Sequence, residues 1–159
     1  MEEILEILEK NSRLNDEQIA VMVNKPVEQV KQAIKKYEED NVILGYNTLI
    51  NWENTDNEAV TALIEVKVTP QRGEGFDKVA ERIYLFPEVK ACYLMSGGFD
   101  LTVIVEGKTM KGVALFVAEK LAPLESVLST ATHFVLKKYK DKGIVFKEKL
   151  KDDREAIFL

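Results

Sequence analysis

The chain has 159 residues, 46% of them hydrophobic and 31% charged, with a formal net charge of -5 at pH 7. That composition fits an ordinary globular protein of one domain or two small ones, and no apolar run approaches the roughly 20 residues that would span a bilayer. The acidic start Met1-Glu2-Glu3 lacks the basic-then-apolar pattern of a leader, so a cytoplasmic location is expected, and a single cysteine, Cys92, excludes a disulfide framework and a cysteine metal cluster.

Three short helical patterns open the chain. Ile4, Leu5 and Leu8 mark the first apolar face, Ile19, Ala20 and Val23 the second, and Val27, Val30, Ala33, Ile34 and Tyr37 the third. Asn15 with Gln18 three residues later is a capping box for the second helix. Asn24 and Asn41 stand just past the ends of the second and third helices, where a left-handed residue is wanted. Pro26 is expected in the first turn of the third helix, where no backbone donor is lost. Only Asn24 to Pro26 separate helices two and three. So short a turn makes them cross steeply and presents one of them outward, the helix-turn-helix geometry that fits the DNA major groove.

The outward side of the third helix carries Glu28, Gln29, Lys31, Gln32, Lys35 and Lys36. Gln suits adenine, and Lys suits guanine or phosphate. The expected DNA contacts are therefore Lys25, Gln29, Lys31, Gln32, Lys35 and Lys36, with Arg13 reaching phosphate. Charge argues the other way. Residues 1–45 hold six basic and ten acidic side chains, a balance of -4, which weakens DNA binding by a single copy. A solvated helix face is the competing reading of the same residues.

Val42 to Tyr46 and Thr48 to Ile50 read as a strand leaving the helical unit, and Asn51 to Glu58 as a polar linker. Then the period changes to two: Val60, Ala62, Ile64, Val66 and Val68 alternate with Thr61, Leu63, Glu65 and Lys67. Pro70 to Gly75 breaks this strand. Phe76, Val79, Ala80 and Ile83 return to helical spacing and stop at Pro87. Val89 to Ser96 and Phe99 to Glu106 are expected as strands joined tightly at Gly97-Gly98. Met110, Val113, Ala114, Phe116, Val117 and Leu121 form another helix, ending near Pro123, and Val127 to Lys138 a last strand. The charged tail from Asp141 holds Ile144, Val145 and Phe146 as a short docking strand.

The order βαββαβ is the ferredoxin-like arrangement. The fold expected is thus α+β: a helix-turn-helix (winged-helix-like) domain over residues 1–45, a strand and hinge over 46–58, a ferredoxin-like domain over 59–140 and a tail over 141–159. Its sheet has one face free of helices but bearing apolar residues, and another subunit is expected to cover it. The turn Ser96-Gly97-Gly98-Phe99-Asp100 exposes backbone N–H groups that suit a carboxylate, and Asp100 suits an ammonium. Thr130 and Thr132 share one strand face. A plain hairpin is the alternative for the turn, and structural threonines for that pair. No catalytic residues, no metal ligands and no cofactor are expected: no nucleophile motif, metal-ligand cluster or phosphate loop stands out. His133 is the only histidine.

Three stretches, in order, resemble the Lrp/AsnC (feast/famine) family of transcription regulators. They are Ile34 to Ile43 with Gly45-Tyr46, the turn Tyr93 to Asp100 (YLMSGGFD), and Val127 with Thr130, Thr132, Val135 and Leu136 before Lys140. The resemblance runs from about Ile4 to Lys140. It implies a DNA-binding regulator that forms dimers and assembles further to tetramers or octamers. It also implies that a small effector, usually an amino acid, binds the second domain at subunit interfaces, with Ser96, Gly97, Gly98, Asp100, Thr130 and Thr132 at the matching positions. Sirohaem decarboxylases resemble the same two-domain architecture, so an enzyme is an alternative. So is a metabolite-binding adaptor whose helical unit docks to protein.

Overall fold

In the computed structural model, residues 2–57, 59–69 and 75–146 are described. The chain divides into two compact units, Met1–Ile50 and Asn51–Leu159.

The first unit is helical: α1 (Glu2–Lys10), α2 (Asp16–Met22) and α3 (Val27–Glu39). The capping box at Asn15 forms as its residues dictate. The Asn15 side chain accepts from the Gln18 N–H at 2.8 Å, and the Gln18 side chain accepts from the Asn15 N–H at 3.0 Å. Asn24 and Asn41 adopt φ of 50° and 55°, the left-handed conformation that ends each helix. Pro26 sits one residue earlier than expected, at the N-cap, with φ -58° and ψ 140°. Its extended ψ turns the chain into α3, and its carbonyl accepts from Gln29 and Val30. Ile4, Leu8, Ile19, Ala20, Val30 and Ala33 form the small core, with Val27, Ile34, Tyr37 and Ile43 against it.

The expected strand over Val42 to Ile50 does not form among the described residues. The N–H groups of Val42 and Ile43 both turn back to the Tyr37 carbonyl, and beyond them no strand among the described residues pairs with this segment. A strand needs a ladder partner, and apolar alternation alone supplies none. Trp52–Asn54 is a short 3-10 turn.

The second unit follows the order β1 (Val60–Val68), α4 (Asp77–Tyr84), β2 (Val89–Leu94), β3 (Leu101–Gly107), α5 (Met110–Phe116), β4 (Val127–Phe134), then a two-stranded piece, β5 (Lys140–Asp141) with β6 (Ile144–Val145). The four main strands are antiparallel in the order β2-β3-β1-β4, the ferredoxin-like order. Helix α5 runs on as a π-type turn over Val117–Leu121. Ala62, Ile64, Val66 and Val68 face Val79, Ile83, Val113, Phe116, Val117 and Leu121 in one core.

Several element ends differ from the sequence expectation, each for a tertiary reason. The hairpin between β2 and β3 is not tight at Gly97-Gly98: the strands stop at Leu94 and Leu101, and Met95 to Asp100 form a six-residue loop closed by Met95 N–H to Asp100 O at 2.8 Å. The Asp100 N–H turns to β1 instead of continuing the β2 ladder. Strand β4 ends at Phe134, short of Lys138, because its partner β1 begins at Val60. Phe134 pairs with Ala62, and Val135 N–H makes the last bond, to Thr61 O. Ala114 is exposed, outside the core face of α5. Ile144 and Val145 pair with β5 and do not dock on the main sheet. The expected break at Pro70 to Gly75 lies outside the described residues except for Gly75, as does the tail from Lys147.

Candidate functional site

The residues singled out from sequence fall in two regions, one in each compact unit. The first is the solvent side of α3. Burying Val30 and Ala33 against α1 and α2 forces Gln29, Lys31, Gln32, Lys35 and Lys36 outward, and all five are exposed. Positions 3 or 4 apart stack on one face of a helix, so Gln32, Lys35 and Lys36 form a continuous strip with Gln29 and Lys31 on its flanks. Acidic side chains interrupt it: Glu28 shares the strip, and Glu39 lies 3.8 Å from the Lys35 ammonium. Lys25 is exposed in the turn but shares a surface depression with Glu2, Glu3, Glu6 and Tyr37, so its field is partly neutralised by α1. Arg13 is exposed in the turn between α1 and α2, its backbone N–H bound to Asn11 Oδ1.

Sequence reading missed one contact here. The Tyr46 phenol donates to Glu38 Oε1 at 2.9 Å, tying the segment after α3 back to the helix. Burial first, then the hydrogen bond and charge of Glu38, raise the phenol's pKa above its ordinary 10.0. An eight-residue separation across an irregular segment carries no periodic signal that would reveal it.

The second region is the loop Met95 to Asp100. Ser96, Gly97 and Gly98 are exposed, and Gly97 takes φ 143°, a conformation that side chains oppose. Asp100 is half-buried and braces β1. Its N–H donates to Val66 O at 3.1 Å, and its Oδ2 accepts from Val68 N–H at 2.9 Å, where β1 is irregular between Lys67 and Val68. One carboxylate oxygen is thus committed to the backbone. Thr130 pairs with Val66 and Thr132 with Ile64. Both half-buried threonines therefore lie on the helix-covered side of the sheet. Asp100 and Thr130 flank the same end of β1, two strand spacings or about 10 Å apart.

The helix-free face of the sheet carries Leu63, Ile104, Ala91 and Tyr93 by register, with polar neighbours. His133 lies there, its Nε2 3.4 Å from Glu65 Oε1, as an exposed surface residue. Cys92 is half-buried against the core, and burial pushes its thiol pKa up. Among the described residues no group of three or more His, Cys, Asp or Glu side chains is placed to hold a metal ion, and no helix is long and apolar enough to cross a membrane.

Residues 2–43 match the model of a winged helix-turn-helix DNA-binding domain, and residues 61–145 that of the Lrp/AsnC ligand-binding domain. The chain is 55% identical over 156 residues to an uncharacterized HTH-type transcriptional regulator, YugG, of Bacillus subtilis, covering 98% of this chain and 93% of that one. It is 27% identical to the leucine-responsive regulatory protein of Haemophilus influenzae, over 86% of this chain and 82% of that one. Among solved structures, a transcriptional regulator of Neisseria meningitidis in complex with L-Met superposes with a TM-score of 0.72 at 24% identity, covering 87% and 89% of the two chains.

Proposed function

The chain belongs to the Lrp/AsnC family of transcription regulators, and we propose that it acts as a homo-oligomer whose second domain senses an amino acid. It is a DNA-binding regulator with an effector domain. Residues 1–45 form the DNA-reading part, 46–58 the hinge, 59–140 the effector and oligomerisation part, and 141–159 the tail. The observation that carries the reading is the solvent strip of α3. Five side chains able to contact bases or phosphates are held outward there by the small apolar core behind them.

The contacts are Arg13, Lys25, Gln29, Lys31, Gln32, Lys35 and Lys36. A dimer doubles them and offsets the acidic balance of one helical unit. The dimer is supported by the segment after α3. Val42, Leu44, Tyr46, Ile50 and Trp52 are all exposed at alternate positions, an apolar row whose backbone lacks a ladder. A second copy supplies both cover and partner, and further assembly to a tetramer or octamer links more half-sites.

The effector is read as an amino acid because a relative is named leucine-responsive and a structural neighbour holds L-Met. Its carboxylate meets the N–H groups of Ser96, Gly97 and Gly98, its ammonium the free oxygen of Asp100, with Thr130 and Thr132 as polar neighbours. Binding one assembly or hinge state better than another shifts the population and hence the DNA affinity. Relatives named as regulators argue against an enzyme.

The test is a titration with the duplex upstream of this protein's own gene, at two salt concentrations, with and without mixed amino acids. Salt-sensitive binding altered by the mixture is expected, and Lys35→Glu with Lys36→Glu abolishes it. Absence of binding at low salt overturns the reading and favours a helical unit that docks to protein.

A further inference from the structure

The hairpin of β5 and β6 is a cationic projection on an otherwise acidic protein. Lys137, Lys138, Lys140 and Lys142 stand against a single acid, Asp141, within six residues of a chain whose net charge is -5. The hairpin is a defined structure: Lys140 pairs with Val145 and Asp141 with Ile144, and Phe146 N–H reaches Tyr139 O at 2.9 Å. Its two turn residues, Lys142 and Gly143, have φ of 45° and 79°. Positive φ at both positions marks the type I′ turn, whose first position ordinarily holds Asn, Asp or Gly. A lysine there costs conformational energy, and strain kept at a tip points to a use for the side chain.

The surroundings narrow that use. Lys140 and Lys142 are exposed, Leu136 is 86% and Tyr139 72% exposed, and the Lys137 ammonium lies 5.5 Å from the Tyr139 ring centre. Lysines interleaved with an aromatic on an exposed hairpin suit an extended polyanion better than a small anion, which needs an enclosing site. Screening over about 8–10 Å keeps distant acids from cancelling this local field.

We propose that residues 137–142 form a second, sequence-independent contact to the DNA phosphate backbone. The inference rests on the DNA-binding reading above, and it supplies cations that a helical unit with a balance of -4 lacks.

The experiment compares the full chain with the double variant Lys140→Gln and Lys142→Asn. Asparagine tolerates the positive φ, so the turn is kept while two charges are removed. Anisotropy titrations over a salt series use the upstream duplex and a scrambled duplex of equal length, with light scattering for assembly size. The expected result is an equal proportional loss on both duplexes, with unchanged assembly. The log–log salt slope should fall by about 0.9 for each phosphate that the variant no longer neutralises. Unchanged affinity and slope, with Lys35→Glu and Lys36→Glu still abolishing binding, overturns the hairpin contact and leaves the regulator reading intact. A loss accompanied by smaller assemblies overturns it in favour of a contact with an acidic surface of another copy. No binding by the unaltered chain at low salt overturns both.

Discussion

Tyr46 and Glu38 are joined by a 2.9 Å hydrogen bond from phenol to carboxylate, which holds the segment after α3 against the last turns of that helix. Both residues lie in the first unit, so the bond couples the exit path of the chain to the helix that carries the expected DNA contacts. Tyr46→Phe removes the bond and keeps the ring. Because the pair is exposed, the expected cost is small, about 0.5 kcal/mol.

The same bond has a pH signature. The folded phenol has a raised pKa, so between the unfolded and folded values the native state holds more protons. Stability is fully present below pH 10 and falls as pH rises through the folded value. Thermal melts between pH 9 and 11, read by circular dichroism, should fall more steeply for the unaltered chain than for Tyr46→Phe. Parallel slopes would show that the bond does not persist in solution.

Lys120, on the π-type turn after α5, is held by three groups. It pairs with Glu88 Oε1 and lies 6.0 Å and 5.9 Å from the ring centres of Phe86 and Phe116, which meet edge to face. Glu88 Oε2 is buried with no hydrogen-bond partner among the described residues, so the lysine is the main compensation for that carboxylate. Its hydrogen bond holds the Glu88 pKa below the ordinary value. Lys120→Met keeps the stem and loses the charge. With solvent screening the expected loss is about 1 kcal/mol at pH 7. A depressed carboxylate contributes stability above its unfolded pKa and loses it as pH falls through the folded one. The gap between the variant and the unaltered chain should therefore close in acid. A gap that persisted at pH 3 would assign the effect to lost packing.

Asp100 braces β1 through Val68 N–H, and the proposed effector contact at its other oxygen can be separated from that bond. Asparagine retains an oxygen for Val68 N–H, whereas alanine leaves that donor without its acceptor. Asp100→Asn is therefore expected to keep the melting temperature within a degree or two and lose effector response, if the free oxygen meets an ammonium. Asp100→Ala should lose both, with a stability cost of about 1–2 kcal/mol. Thermal shifts with and without amino acids separate the two. A full response in both variants would remove Asp100 from the effector site.

Ser126 is 4% exposed, and its hydroxyl has no hydrogen-bond partner among the described residues. Its backbone carbonyl accepts from Thr69 N–H at 2.9 Å, a bond that does not depend on the side chain. Ser126→Ala is expected to stabilise the second unit by up to about 1 kcal/mol. A clear loss of stability in chemical denaturation would indicate a hydrogen bond formed in solution.

Much of the fold was legible in the residues because its causes are local. The capping box at Asn15 and Gln18 needs only three residues of separation, and Asn24 and Asn41 carry their left-handed preference with them. Period-two alternation from Val60 to Val68 survives as a strand because one face is buried whatever its neighbours are. The outward residues of α3 follow from its apolar positions by helical spacing alone.

The sequence by itself thus determined the two domain types, the three helices of the first unit, the βαββαβ order of the second and the exposed strip of α3. Tertiary structure alone decided what depends on a distant partner: the end of β4 at Phe134, the course of Val42 to Ile50 outside any strand ladder, and the six-residue loop where a tight turn was expected. It also decided that Asp100 braces Val68, 32 residues away, and that Lys140 to Val145 stand as a hairpin. Local preferences act within a turn or two of the chain, whereas ladder bonds and burial depend on which segments the fold brings together.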